Sequence, residues 1–72
     1  MPLVEIRLLE GRSTEQKRKI LKSVTDAVRV SSGAPLERIR VWINEMPPEH
    51  YMVAGVTAAD RAEEAHAEGN SA

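Results

Sequence analysis

A proline stands at position 2, directly behind Met1. Removal of the methionine is expected when the second residue is small, and it leaves a secondary amine. An ordinary α-amino group titrates near about 7.7–8.0, and the amine of proline is intrinsically somewhat more basic. Desolvation and neighbouring guanidinium groups both penalise the ammonium form and lower that pKa. The product would be a neutral amine near physiological pH, which is what a general base needs. Taken alone, Met1-Pro2 reads more simply as a start context ahead of an edge strand.

Two arginines stand where an anion would be received. Arg12 lies just before a helix-start signal, close to the positive end of the helix dipole, where a cation is mildly unfavourable. A bound anion would meet both its guanidinium and the helix start; the plainer reading is a solvated loop arginine. Arg40 alternates with Ile39, Val41 and Ile43 and so points to the opposite face of a strand. If that face is covered in an oligomer, its charge must meet a carboxylate, either from a neighbouring chain or from a ligand. Trp42 shares the face of Arg40 and reads as an interface aromatic. Tyr51 follows Pro47-Pro48 and either walls an apolar pocket or covers the sheet edge, while His50 reads as an exposed turn residue. There is no Ser/His/Asp arrangement, phosphate loop or metal motif in the sequence. One amine and a few arginines favour proton transfer beside a carbonyl in a small anionic acid, with arginines stabilising the dienolate.

The elements that must position these residues are legible in the alternation of apolar positions. Residues 3–9 read as a strand with Val4, Ile6 and Leu8 on one face and Leu3, Glu5, Arg7 and Leu9 on the other. Ser13-Thr14-Glu15-Gln16 carries the pattern of a capping box. Ile20, Leu21, Val24, Ala27 and Val28 then mark an amphipathic helix to about Ser31, with Lys17, Arg18, Lys22 and Arg29 toward water. Gly33 and Pro35 end the helix. Leu36 to Met46 reads as a second strand, with Arg40 in its middle, closed by Pro47-Pro48. Strand, helix and strand make a βαβ unit with parallel strands and a right-handed crossover. Residues 49–55 read as a turn or short hairpin. The sequence thus divides into a domain at 1–55 and a weakly ordered tail at 56–72, rich in Ala and Glu, to which no chemistry is assigned.

The 72-residue chain is too short to be self-sufficient without a staple. It has no cysteine, its histidines His50 and His66 are isolated, Phe is absent, and Trp42 and Tyr51 are its aromatics. Disulfides and a structural metal are therefore not expected, and association with further subunits is the remaining route. A two-stranded parallel sheet leaves a face and both edges open, whereas parallel sheets are normally covered on both faces. Ten Lys+Arg against eleven Asp+Glu give a formal charge of −1, so no basic field draws nucleic acid. The N-terminal stretch has neither the cationic region of a signal peptide nor the length of a membrane span. A soluble cytoplasmic protein is expected.

These residues resemble the 4-oxalocrotonate tautomerase family across positions 2–55. The matching stretches are Pro2, Leu8-Leu9-Glu10-Gly11-Arg12-Ser13 with Glu15-Gln16-Lys17, Ala34-Pro35-Leu36, Arg40-Val41 and Glu45-Met46. The resemblance implies an α/β fold, a single βαβ unit with a short C-terminal hairpin. It also implies assembly into a homohexamer, a trimer of dimers, with active sites built across subunits. It implies that Pro2 shuttles a proton between the 2-hydroxyl oxygen and C5 of a 2-hydroxydienoate such as 2-hydroxymuconate, without a cofactor or metal. In that scheme Arg12 binds the distal carboxylate, and Arg40 of another subunit holds the 2-oxygen and near carboxylate. Tyr51 takes the place of a pocket aromatic that is usually Phe, and Leu9 supplies backbone contacts. The partner is then a small dicarboxylic or 2-oxo acid.

The departures from the family pattern are specific. Met52-Val53-Ala54-Gly55 replaces a glycine-rich stretch, with Gly55 retained, and Pro47-Pro48 looks like diverged homologues from biosynthetic pathways. Arg61 is displaced by one position from the expected tail arginine. Fold and proline-base mechanism therefore carry over further than the substrate. The alternatives are an isomerase of natural-product biosynthesis, a hydratase or dehalogenase using Glu5 or Glu45 to activate water, and a non-catalytic subunit of a mixed hexamer.

Overall fold

The computed structural model describes the backbone of residues 1–71 and the side chains of residues 1–65. Strand β1 (Leu3–Leu9) leads into helix α1 (Thr14–Ser32), and strand β2 (Arg40–Met46) returns beside β1. The two strands pair in parallel from Leu3 opposite Arg40 to Leu9 opposite Met46. A short antiparallel hairpin of β3 (Met52–Val53) and β4 (Val56–Thr57) follows, and helix α2 spans Ala58–Ser71. This is the expected α/β architecture. His66 lies outside the described side chains, so the expectation for it stands apart from the structure.

The start of α1 follows from its sequence. The hydroxyl of Ser13 accepts from the Gln16 amide N–H at 3.1 Å, and the Gln16 side-chain oxygen accepts from the Ser13 N–H at 2.9 Å. Two of the orphan donors of the first turn are thereby satisfied. At the far end Gly33 takes φ 73°, and its N–H bonds the Arg29 carbonyl. Only glycine enters that left-handed region without steric cost.

Helix α1 covers the sheet face carrying Val4, Ile6, Leu8, Val41 and Ile43, and these side chains are half-buried, as are Ile20, Leu21, Val24 and Val28. Ala27, expected in this stripe, is exposed. Lys17, expected toward water, instead lies over the sheet and donates to Glu45 at 2.9 Å, each side chain being under a third exposed. The first turn of α1 passes above the last residues of β2, so a lysine there reaches back onto the strand.

The second strand begins later than its apolar pattern implied. Leu36–Arg38 form a 3-10 turn, with Arg38 N–H bonded to Pro35 O and Ile39 N–H to Leu36 O. Pro35, held extended at φ −67° and ψ 150°, starts this turn. Arg40 is therefore the first residue of β2, not a central one.

The interior is thin. Ile39, at 9% exposure, is the one buried hydrophobic among the described side chains, while Leu3 at 51% and Trp42 at 44% lie on the uncovered sheet face. The radius of gyration is 16.5 Å, against about 11 Å for a compact chain of this length.

Candidate active site

The two ends of the sheet carry different parts of the expected site. At the start of β1, the Arg40 N–H donates to the Pro2 carbonyl at 3.1 Å, extending the parallel ladder by one rung. The terminal ammonium of Met1 donates to the Arg38 carbonyl at 2.9 Å. Pro2 and Arg40 are thus neighbours through their backbones. With Met1 attached, the Pro2 nitrogen is an amide and holds no exchangeable proton.

At the other end, Arg7, Leu8, Leu9, Arg12, Met46 and Tyr51 line a cavity of about 270 Å³. Each is delivered by a definable local cause. The last ladder bond runs from Glu10 N–H to Met46 O at 2.9 Å, after which Gly11 turns the chain at φ 130°. That value is readily open only to glycine. The turn sets Arg12 immediately before the Ser13 cap, with its guanidinium 3.4 Å from the Leu9 carbonyl. Leu9 and Met46 are opposite one another on the uncovered face and are half-buried.

Tyr51 follows the 3-10 turn Pro48–His50 and donates its N–H to Pro48 O at 3.4 Å. Its carbonyl accepts from Ala58 N–H at 2.8 Å, so the hairpin closes behind it. His50 is exposed in that turn, as expected. The hairpin turn is Ala54-Gly55, at φ 54° and 80°. Two central residues at positive φ match the right-handed twist of the flanking strands.

One chain therefore brings Leu9, Arg12 and Tyr51 together but keeps them apart from Pro2 and Arg40. The length of β1 separates the groups by about 20 Å at ~3.3 Å per residue. The cavity lining contains two cations, an aromatic and aliphatic groups, and no carboxylate or imidazole. Glu45 faces the helix and is held by Lys17. Glu5 lies on the uncovered face, 3.3 Å from the Arg7 guanidinium. Among the described residues, no group of three or more acidic, histidine or cysteine side chains is placed to hold a metal ion.

Three features were not foreseen from the residues. Arg7 joins the cavity because it shares the alternation of Leu9 along β1, a pattern that names a face but not a pocket. The Lys17–Glu45 pair depends on where α1 crosses the sheet. The third is the start of α2, inside the stretch read as a weakly ordered tail, although a signal for it was present: Thr57-Ala58-Ala59-Asp60 has the capping spacing, and the Thr57 hydroxyl accepts from Asp60 N–H at 3.1 Å. Arg61 then donates to the Val53 carbonyl at 3.0 Å, tying this helix to the hairpin.

Comparison with known proteins agrees with this architecture. Residues 2–61 match the family model described as tautomerase enzyme. A probable tautomerase of Staphylococcus aureus (strain Mu50) is 51% identical over 61 residues, covering 85% of this chain and 100% of that protein. The 2-hydroxymuconate tautomerase of Bacillus subtilis (strain 168) is 48% identical over 60 residues, covering 83% of this chain and 97% of the relative. The solved heterohexamer 4-oxalocrotonate tautomerase of Chloroflexus aurantiacus J-10-fl superposes with a TM-score of 0.79 at 40% identity, covering 83% of this chain and 97% of that one. The family model spans residues 2–61, and the relatives are close to half identical over most of this chain and nearly all of their own length; the chain belongs to the tautomerase family.

Proposed function

We propose that the chain is a cofactor-independent isomerase that converts 2-hydroxymuconate-like 2-hydroxydienoates to their conjugated 2-oxo isomers in the cytoplasm. One observation carries this reading. The cavity offers guanidinium groups and an aromatic wall but no proton acceptor suited to neutral pH, so a base must enter from outside it. Pro2, once Met1 is removed, is such a base, and the uncovered sheet face is the surface through which another subunit would bring it in. The site is then completed in an oligomer, which we take to be a homohexamer built as a trimer of dimers.

The reaction balances without electron transfer. Pro2 nitrogen takes the proton from the 2-hydroxyl group, the 2-oxygen becomes a carbonyl, and the C2=C3–C4=C5 diene shifts to C3=C4. The proton on the proline is delivered to C5. Arg12 holds the distal carboxylate. Arg40 from another subunit holds the near carboxylate and the 2-oxygen, where charge develops. Leu9 supplies backbone contacts, and Tyr51 packs on the flat chain. General base catalysis is worth typically 10²–10⁴-fold. Loss of absorbance of the dienol should therefore slow by about a hundredfold or more in Pro2→Ala and be strongly reduced in Arg40→Ala. Unchanged turnover in purified Pro2→Ala would overturn the mechanism.

A second reading is favoured by the heterohexameric neighbour: this chain is one subunit of a mixed hexamer and lacks activity alone. Native mass spectrometry of the purified chain separates the two. Self-assembled hexamers support the first reading, and a chain that assembles only with a second gene product supports the other.

A further inference from the structure

The cavity holds a cation for which the scheme above has no use. Arg7 and Arg12 both line the same space, and no acidic group lines it with them. Like charges lining one space repel, and the nearby Glu5 offsets only one of the two guanidinium groups. In the free chain the Arg7 Nε donates to Glu5 Oε1 at 3.3 Å, with the Arg7 side chain 72% exposed and Glu5 29% exposed. That contact uses one of the five N–H donors of a guanidinium and leaves the terminal fork available for a carboxylate. The three side chains together carry one net positive charge. Below them Leu9 and Met46 give an apolar floor, and Tyr51 gives an aromatic wall, suited to a flat unsaturated carbon chain.

We propose that Arg7 is a specificity-determining residue of this cavity. With Arg12 it selects an unsaturated acid whose distal end is a second carboxylate, and Glu5 sets the strength of that selection by competing for the Arg7 guanidinium. The inference rests on the isomerase reading for the use of the cavity, but its test is a binding measurement that does not need turnover.

The probes are trans,trans-muconate and sorbate, six-carbon dienes bearing two carboxylates and one. Calorimetric titration of the full chain in its native assembly should show a preference for muconate. Arg7→Gln should weaken muconate binding about tenfold, the scale of a lost hydrogen bond to a charged group, and leave sorbate essentially unchanged. Arg7→Lys, which keeps the charge but not the fork, should retain part of the preference. Glu5→Gln should strengthen muconate binding by freeing Arg7. Arg18→Gln, removing an exposed positive charge from α1, should leave the preference as it is.

The proposal is overturned if the unaltered protein binds neither probe or does not prefer muconate. It is equally overturned if Arg7→Gln weakens both ligands alike or neither, or if Arg18→Gln lowers the preference as much. Because the diene probes lack the 2-hydroxyl group, this result is independent of Pro2. Turnover that survives in Pro2→Ala would contradict the proposed base while leaving the Arg7 preference standing.

Discussion

Arg12 owes its position to its neighbour. Gly11 at φ 130° turns the chain out of β1, and the arginine then rests against the Leu9 carbonyl. A side chain at Gly11 meets no atom within 4 Å, so the cost of Gly11→Ala is backbone strain of about 1–3 kcal/mol, not a clash. The expected result is a raised KM for anionic substrate with the assembly preserved, measured by steady-state kinetics alongside native mass spectrometry. An unchanged KM would show that the loop tolerates another path to the same arginine position. Arg12 was legible as a candidate because it abuts a capping box. Arg7 was not, because alternation along β1 assigns a face, whereas a cavity arises only when Tyr51 arrives from a segment far along the chain.

At the scale of elements, the hairpin is the place where local preference and structure disagree. Ala54 is the one non-glycine residue at positive φ among the described residues, and an L-residue with a Cβ pays roughly 1–2 kcal/mol in that region. Ala54→Gly should therefore stabilise the hairpin by about 1 kcal/mol, read as a rise in the unfolding midpoint. A fall would mean that the entropy of the added glycine outweighs the relieved strain. The ends of α1 were legible from Ser13, Gln16 and Gly33, whose capping roles depend on residues within a few positions. The start of β2 was not, because Leu36–Arg38 carry apolar and charged residues in an order that fits either a strand or a turn; hydrogen bonds to Pro35 and Leu36 decide it. Lys17 was misassigned for a related reason: helical periodicity orients a side chain about its own axis but does not say which strand end lies beneath.

For the whole molecule, the decisive fact is how little one chain buries. A single buried aliphatic residue among the described side chains, exposed Leu3 and Trp42 and a 16.5 Å radius of gyration would tie folding to association in the proposed assembly. Obligate assemblies unfold at temperatures that rise with protomer concentration. The midpoint measured across a hundredfold dilution series, about two decades in concentration, should fall with dilution; a constant midpoint would mean the chain folds alone. The thin interior and the open two-stranded sheet of a single chain were legible from its length, the missing cysteines and the βαβ pattern. The separation of Pro2 and Arg40 from Arg12 and Tyr51 was not, since it depends on which end of β1 each loop returns to. Everything in the catalytic account turns on Pro2 being a free amine. The mass of the N-terminus in an active, purified preparation tests this most directly: the account predicts a chain beginning at Pro2, and full activity in a chain that retains Met1 would contradict it.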